Sequence, residues 1–293
     1  MDKKNLLTAI LLLPFVGLAA LLTGCGGSGS TRPSEVDLVA PGHAEATLTA
    51  SSGTTVTTTD ELGVIHTPEG IVLTVRSDDT ISKLSMQGSA GYVRWDENAG
   101  DVIDESSILI SASNPSETRF GFFFDGSDPS LAWNYQTYGI WVDGFGEATG
   151  NFGAVTVGEF ALGSDVPMSG SANFVGLSNG VYVDASGQMY IATSAVSLNT
   201  DFTTRSIAFA TSGTQKVEVS PAATQTTATN LDISGILTYL AGASRFSGNV
   251  TTSTLSGDAD GHFYGPNAEE AGGTFTLTGT GVESYTGAFG AKR

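Results

Sequence analysis

The stretch GHFYGPNAEEAGGTFTLT, residues 261–278, joins two strand-like segments through an abrupt break. The aromatic-rich HFY ends the first segment, and a Gly-Pro pair interrupts the pattern because proline has no N–H to donate to a sheet. Residues 274–278 then alternate polar and apolar side chains, which is the period of a strand with one face in a core. The stretch therefore predicts two strands and a short connection, with Phe275 and Leu277 facing inward.

The connection contains two adjacent glutamates in a chain with only 14% charged residues. Asn267 has the chemistry of a helix N-cap, and Glu270 follows three residues later, as in a capping box. We expect Asn267 to cap one helical turn and Glu270 to accept a hydrogen bond from the Asn267 N–H. A structural rather than catalytic role is predicted for the whole segment, whose residues are Gly265, Pro266, Asn267, Glu269, Glu270, Gly272 and Gly273.

The composition favours an all-β fold. Glycine accounts for 38 of 293 residues, well above the usual ~7%. Segments rich in valine, threonine and aromatic residues recur at short intervals between glycine-containing turns, which is typical of β-sandwiches and β-barrels. About eight such strands are enough to close a barrel. In residues 131–142, bulky side chains occupy both faces of one strand, so we expect this strand to pack on both sides, against the barrel and against a neighbouring subdomain.

Three motifs resemble the transferrin-binding protein family, the β-barrel surface lipoproteins of Gram-negative bacteria. FYGPNAEEAGGTFTL, residues 263–277, is similar to the barrel signature of that family. YTGAFGAKR, residues 285–293, looks like its last strand, and YQTYGIW, residues 135–141, looks like its first. The resemblance implies an eight-stranded antiparallel barrel after a smaller β-rich handle region, and a role in capturing a host or environmental ligand. Large members have two handle-and-barrel lobes, whereas this chain has room for one.

The N-terminus has the pattern of a bacterial lipoprotein signal peptide. Two lysines precede an apolar run that ends in Leu22-Thr23-Gly24-Cys25, and such a lipobox predicts cleavage before Cys25 and acylation of that residue. We therefore expect an outer-membrane lipoprotein, facing the cell surface or the periplasm and held by its lipid alone. The predicted domains are a signal peptide at 1–24, a flexible tether at 25–46, a handle-like subdomain at 47–130 and the barrel at 131–293.

The charge of the chain restricts its partners. The net charge is −18, and removal of residues 1–24, which carry +1, leaves −19. Nucleic acid is excluded as a partner because its binding requires Lys and Arg that neutralise phosphates. Mutual repulsion of such acidic chains favours a monomer. Cys25 is the only cysteine, so no disulfide and no cysteine-based metal site is expected in the mature chain.

Catalytic patterns are sparse. Of three histidines, only His262 lies on a predicted strand, and no nucleophile motif accompanies it. His262 is the candidate cofactor-binding residue, as an axial ligand of haem, and the alternative is a barrel residue that faces solvent or is hydrogen-bonded. The carboxylates at Asp258 and Asp260 and at Glu269 and Glu270 have no diagnostic spacing. Apart from this candidate role of His262, no catalytic residue, metal or cofactor is predicted.

These observations predict a non-enzymatic lipoprotein that binds a ligand, and the family resemblance implies a role for it in the capture of iron or haem. The motifs do not identify the ligand, which could be a small molecule or a protein partner from the host or the environment. Two alternatives stay open: a structural or interaction protein of the envelope without a small-molecule ligand, and a carbohydrate-active enzyme.

Overall fold

The computed structural model describes residues 35–40, 42–49, 55–60, 66–75, 81–87, 92–105, 108–124, 128, 131, 133–144, 149–218 and 224–293. Within these residues the chain forms β-strands and two short 3-10 helices, η1 (Glu97–Ala99) and η2 (Thr229–Leu231). No helix in the described ranges is long and apolar enough to cross a membrane. Cys25 and the signal peptide lie outside the described residues.

Strands in the first half of the chain are β1 (Glu35–Ala40), β2 (Gly42–Thr49), β3 (Thr55–Asp60), β4 (His66–Val75), β5 (Ile81–Gln87), β6 (Tyr92–Asp96), β7 (Val102–Asp104), β8 (Leu109–Ser113), β9 (Arg119–Phe124), β10 (Gln136–Asp143) and β11 (Thr149–Gly158). Those in the second half are β12 (Ser171–Val183), β13 (Met189–Asp201), β14 (Ser206–Glu218), β15 (Gln225–Thr227), β16 (Ser234–Tyr239), β17 (Arg245–Thr251), β18 (Ser256–Tyr264), β19 (Glu270–Thr278) and β20 (Ser284–Lys292).

The second half closes into an eight-stranded antiparallel barrel. Its strands run in the order β13-β12-β20-β19-β18-β17-β16-β14, and pairing of β13 with β14 closes the ring. The short β15 pairs with the far end of β14. The predicted all-β fold, with an eight-stranded barrel preceded by a smaller β-rich region, is therefore confirmed.

Apolar side chains fill the barrel interior. Phe263 is fully buried and contacts aromatic rings from several strands, with Phe246 at 5.2 Å and Tyr239 at 5.3 Å between ring centroids. Phe275 and Leu277 are fully buried in the same core, so the inward orientation predicted from their alternation is confirmed. The intervening residues of β19 face outward.

Two sheets precede the barrel. One is four-stranded, in the order β1-β4-β5-β6, and the other is seven-stranded, in the order β3-β2-β11-β10-β9-β8-β7. They share a core in which Trp95 of the smaller sheet meets Phe123 of the larger, with ring centroids 6.3 Å apart. Trp141 of β10 belongs to the same core.

The opposite face of the seven-stranded sheet packs on the barrel wall. Tyr138 and Ile140 of β10 lie in one buried cluster with Val181 of β12 and Ala288 of β20. The seven-stranded sheet is therefore a middle layer, buried on both faces. This confirms the expectation that the aromatic strand packs on both sides.

Two predicted boundaries were wrong. The barrel was expected from Leu131, but β10 and β11 pair with β9 and β2 in the middle layer, and the first barrel strand begins at Ser171. Contact between β10 and the barrel is made by side chains rather than by a hydrogen-bond ladder. The expected tether at 25–46 contains β1 and part of β2, because these strands find partners far along the chain, in β4 and β11.

Glycines let β10 approach the barrel wall closely. A Cβ placed on Gly290 would lie 2.2 Å from the Tyr138 ring, and one on Gly272 would lie 2.0 Å from Gln136 Oε1. Gln136 Nε2 donates to the carbonyls of Ala271 at 3.2 Å and Ala291 at 3.1 Å. We call Gly272 and Gly290 the glycine floor, because Gln136 and Tyr138 rest directly on their backbones.

We expect Gly290→Ala to destabilise the protein by about 1–3 kcal/mol, because the added methyl group has no space beneath the buried Tyr138 ring. Urea unfolding followed by tryptophan fluorescence measures the change. Thr278→Ala, at an exposed position of β19, is the control and should shift stability by less than about 0.5 kcal/mol.

A double-mutant cycle separates this contact from a general effect of the substitution. In a Tyr138→Leu background the ring is gone, so Gly290→Ala should cost much less than it does in the wild type. Equal costs in both backgrounds would contradict the close approach.

Candidate functional site

The signature turn differs from the predicted capping box. The Asn267 N–H donates to Glu269 Oε2 at 2.9 Å, and Asn267 Nδ2 donates to Glu269 Oε1 at 2.7 Å. The predicted bond from the Asn267 N–H to Glu270 was therefore wrong. Ala268 adopts φ +56°, and its N–H donates to Gly265 O at 3.2 Å, so the connection is a tight turn rather than a helical turn.

Glu270 joins the barrel to the segment that enters β10. Its side chain is 1% exposed, and its two oxygens accept from the N–H groups of Asn134 at 2.7 Å and Tyr135 at 3.3 Å. Burial raises the pKa of Glu270 to about 7, against the lowering effect of these hydrogen bonds. A raised pKa is common in catalytic acids, but here backbone amides engage both oxygens. The geometry therefore assigns Glu270 a structural role. It links β19 of the barrel to the segment before β10, and we call this contact, together with the glycine floor, the joint.

His262 is covered rather than exposed. It is 7% exposed, and its ring stacks on Phe160 with centroids 4.9 Å apart. Neither ring nitrogen has a hydrogen-bond partner among the described residues. Burial, with Arg245 nearby, lowers the pKa of His262 to about 4, so the ring is neutral at physiological pH. Two environments were predicted for His262, exposure to solvent or a hydrogen bond from the ring. The structure shows neither of them.

Arg245 and Asp260 form an ion pair beside this histidine. The distance from Arg245 Nη2 to Asp260 Oδ2 is 2.6 Å, and Arg245 Nε also donates to the carboxylate. In the part of the chain that the structure describes, no group of three or more His, Cys, Asp or Glu side chains could hold a metal ion. Because Phe160 stacks on the buried His262 ring, haem ligation by His262 would require Phe160 to move.

A loop between β11 and β12 closes the end of the barrel near His262. The Ala161 N–H donates to Phe263 O at 2.9 Å, and the Gly265 N–H donates to Glu159 O at 3.0 Å. The side chains of Ala161 and Val166 enter the barrel core. Leu162, between them, and Met168, after them, are exposed instead.

Three large apolar side chains are exposed at this end of the barrel. Leu162 and Met168 of the loop are 68% and 89% exposed, and Leu240, in the turn between β16 and β17, is 80% exposed. The two segments touch, because a Cβ on Gly163 would lie 1.8 Å from Gly242 O. We call Leu162, Met168 and Leu240 the apolar rim. Sequence reasoning missed it, although large apolar residues in a Gly-, Ser- and Pro-containing loop were a usable signal.

The comparisons with known proteins agree with this architecture. Residues 166–293 match the family model described as C-lobe and N-lobe beta barrels of Tf-binding protein B. The search of curated proteins found no match. A point mutant of transferrin binding protein B from Haemophilus parasuis Hp5 is similar at 12% identity and a TM-score of 0.50, covering 88% of this chain and 45% of its own length.

Two further structures are similar at lower scores. Isotype 1 transferrin binding protein B from serogroup B Neisseria meningitidis has 15% identity and a TM-score of 0.45, over 86% of this chain and 43% of its own. The N-lobe of lactoferrin binding protein B from Moraxella bovis has 12% identity and a TM-score of 0.40, over 86% of this chain and 99% of its own. This chain therefore spans less than half the length of the Haemophilus and Neisseria proteins, and the similarity concerns the fold.

We expect Glu270→Gln to change the pH dependence of stability. The folded pKa of about 7 lies above the ordinary value of 4.5, so the folded state binds the proton more tightly. The wild type therefore loses free energy of unfolding as pH rises from about 4.5 to about 7, by up to about 3 kcal/mol. The variant lacks this loss, so its stability relative to the wild type should increase over that range.

Urea unfolding at about pH 5 and about pH 7.5 makes the comparison. Glu269→Gln is the matched control. The pKa of Glu269 lies below its ordinary value, because the bonds from Asn267 outweigh the opposing effect of partial burial. The difference in free energy of unfolding between Glu269→Gln and the wild type should therefore be the same at both pH values. A flat difference for Glu270→Gln as well would contradict the assignment.

Proposed function

We propose that this chain, which carries a barrel domain of the transferrin-binding protein B type, is a lipid-anchored outer-membrane protein of Gram-negative bacteria that binds a ligand without catalysing a reaction. The ligand we propose is a host or environmental source of iron, either an iron-carrying protein or haem. The proposal joins the barrel domain to the lipobox at Cys25 and to the exposed groups at one end of the barrel.

The apolar rim is the observation that carries the binding role. Buried apolar side chains fill the barrel interior, so the ligand is expected to bind on the outside. Exposed apolar clusters mark interaction sites, since isolated folded proteins bury such groups where they can. A methionine that is 89% exposed is suited to recognition, because its flexible thioether adapts to a partner surface.

The names of the similar proteins suggest which partners to test first. They are described as binding transferrin and lactoferrin, and those descriptions belong to them. A filled barrel also fits the alternative of an envelope protein with no small-molecule ligand. The rim supports a protein partner over that alternative, because it offers three exposed apolar side chains, on two segments that touch, for a partner to cover.

The lipid anchor makes a separate prediction. Mass spectrometry of the mature protein should show a chain that begins at Cys25 and carries acyl groups on that residue. An N-terminus at any other residue, or an unmodified Cys25, would contradict the anchor.

Binding at the rim is tested with Met168→Glu and Leu240→Glu in the full-length protein. Biolayer interferometry with iron-loaded transferrin and lactoferrin, and absorbance titration with haem, supply the probes. We expect the wild type to bind one of the three, and each variant to lose at least about tenfold in affinity, because a buried charge replaces an apolar contact. Thr254→Glu, in an exposed turn at the other end of the barrel, should bind normally.

Two results would overturn the proposal. If the wild type binds none of the probes, the iron-capture role is wrong. If both rim variants keep full affinity at unchanged melting temperature, the site is wrong. Haem binding that His262→Ala abolishes would move the site to the covered histidine.

A further inference from the structure

Three polar side chains converge on Gly272, on the outer face of the barrel. The strand register places His262 of β18 directly opposite Gly272 of β19, and Thr274 lies two residues further along β19. Both side chains alternate with residues of the barrel core, so they point outward. Gln136 of β10 covers Gly272, since a Cβ on this glycine would collide with Gln136 Oε1. The three side chains therefore meet between the barrel and the seven-stranded sheet.

Each of these side chains has a polar atom that no protein group satisfies. Gln136, His262 and Thr274 are 5%, 7% and 0% exposed. In the described part of the chain, no group bonds to Gln136 Oε1, to either ring nitrogen of His262 or to Thr274 Oγ1. Buried polar groups are nearly always hydrogen-bonded, because an unpaired one forfeits the bonds that it makes to water in the unfolded chain. Four unpaired atoms at one place therefore point to a bound molecule.

Other contacts hold two of these groups in their orientations. Gln136 Nε2 donates to the carbonyls of Ala271 and Ala291, which fixes the amide with Oε1 as a free acceptor. The His262 ring stacks on Phe160, with centroids 4.9 Å apart. The amide and the ring are thus presented to the bound molecule in fixed positions.

The surroundings require an uncharged molecule. Burial, together with the Arg245 guanidinium on the neighbouring strand, lowers the pKa of His262 to about 4. A place that disfavours a proton on the ring also disfavours a metal cation. An anion is disfavoured by Gln136 Oε1, which can only accept hydrogen bonds, and by the carboxylate of Asp260, directly opposite Thr274. Arg245 and Asp260 neutralise each other in their ion pair.

The molecule must also be small and must both donate and accept. A neutral imidazole offers one N–H and one acceptor nitrogen, a hydroxyl does both, and the oxygen of Gln136 accepts. His262 and Thr274 lie on adjacent strands, which are about 4.8 Å apart, so a molecule of the size of water reaches groups on both at hydrogen-bond distance. A buried water typically makes about three hydrogen bonds, which matches the three side chains.

We propose that Gln136, His262 and Thr274 form a site for one internal water molecule, which bridges the barrel and the seven-stranded sheet. The water completes the joint, because it connects the oxygen of Gln136 to β18 and β19, while the nitrogen of the same amide bonds directly to the barrel. It also occupies the position from which a haem iron would reach the His262 ring. The site does not depend on the ligand of the proposed function.

A crystal structure of this protein, at a resolution that shows ordered water, tests the site directly. We expect one isolated water oxygen within about 3.2 Å of Gln136 Oε1 and of a His262 ring nitrogen or Thr274 Oγ1. Three results would overturn the inference. They are a direct hydrogen bond between these side chains, an ion or a larger molecule at the site, and an absence of density between them.

A double-mutant cycle tests the bridge in solution. His262→Phe keeps a ring on Phe160 and Thr274→Val keeps the shape of the side chain, but each removes one partner of the water. Each should therefore lower the urea midpoint by at least about 0.3 M. The double variant should lose less than the sum of the two shifts, because both groups bind the same water.

Thr276→Val is the matched control. Thr276 lies on the same face of β19 and also has a buried, unpaired hydroxyl, but it is one step further from His262. Its shift should add to that of His262→Phe. A higher midpoint for His262→Phe would mean that its ring nitrogens are dry, and an additive shift with Thr274→Val would mean that the two groups share nothing. Either result overturns the inference, and the wild-type crystal structure decides if His262→Phe does not fold.

Discussion

The architecture depends on the close approach of β10 to the backbones of β19 and β20. Gln136 and Tyr138 need the space that Gly272 and Gly290 leave empty, and in return Gln136 donates two buried hydrogen bonds to barrel carbonyls. Glu270, on the barrel side, completes this contact by accepting hydrogen bonds from the N–H groups of Asn134 and Tyr135. The glycine floor and Glu270 thus serve the same purpose. They allow β10 to pack directly against the backbones of β19 and β20.

This joint explains why the seven-stranded sheet is buried on both faces and still keeps its position. One face shares a core with the four-stranded sheet through Trp141, and the other rests on the barrel through Tyr138. The same placement determines where the chain crosses into the barrel. The connecting loop closes one end, buries Ala161 and Val166, and leaves Leu162 and Met168 exposed as part of the apolar rim.

The sequence alone was sufficient for the all-β class, the barrel and the inward side of β19, because strand alternation is local and strong at Phe275 and Leu277. It did not predict which strands pair with each other. β10 looked like a barrel strand, yet its hydrogen bonds go to β9 and β11, and nothing local distinguishes a ladder contact from a side-chain contact. The capping-box spacing selected Glu270, but the positive φ of Ala268 brings Glu269 back to Asn267 instead. The burial of His262 under Phe160 depends on a chain reversal that composition does not encode.

The most direct test of the joint is whether the two halves unfold together. All three tryptophans, Trp95, Trp133 and Trp141, lie before the barrel, so their fluorescence reports the sheets, whereas hydrogen exchange of β13 and β14 reports the barrel. In urea, the account predicts coincident transitions for the wild type. In a variant with valine at both Gly272 and Gly290, the tryptophan transition should move to lower urea and separate from the barrel transition. Separate transitions in the wild type, or coincident ones in the variant, would contradict it.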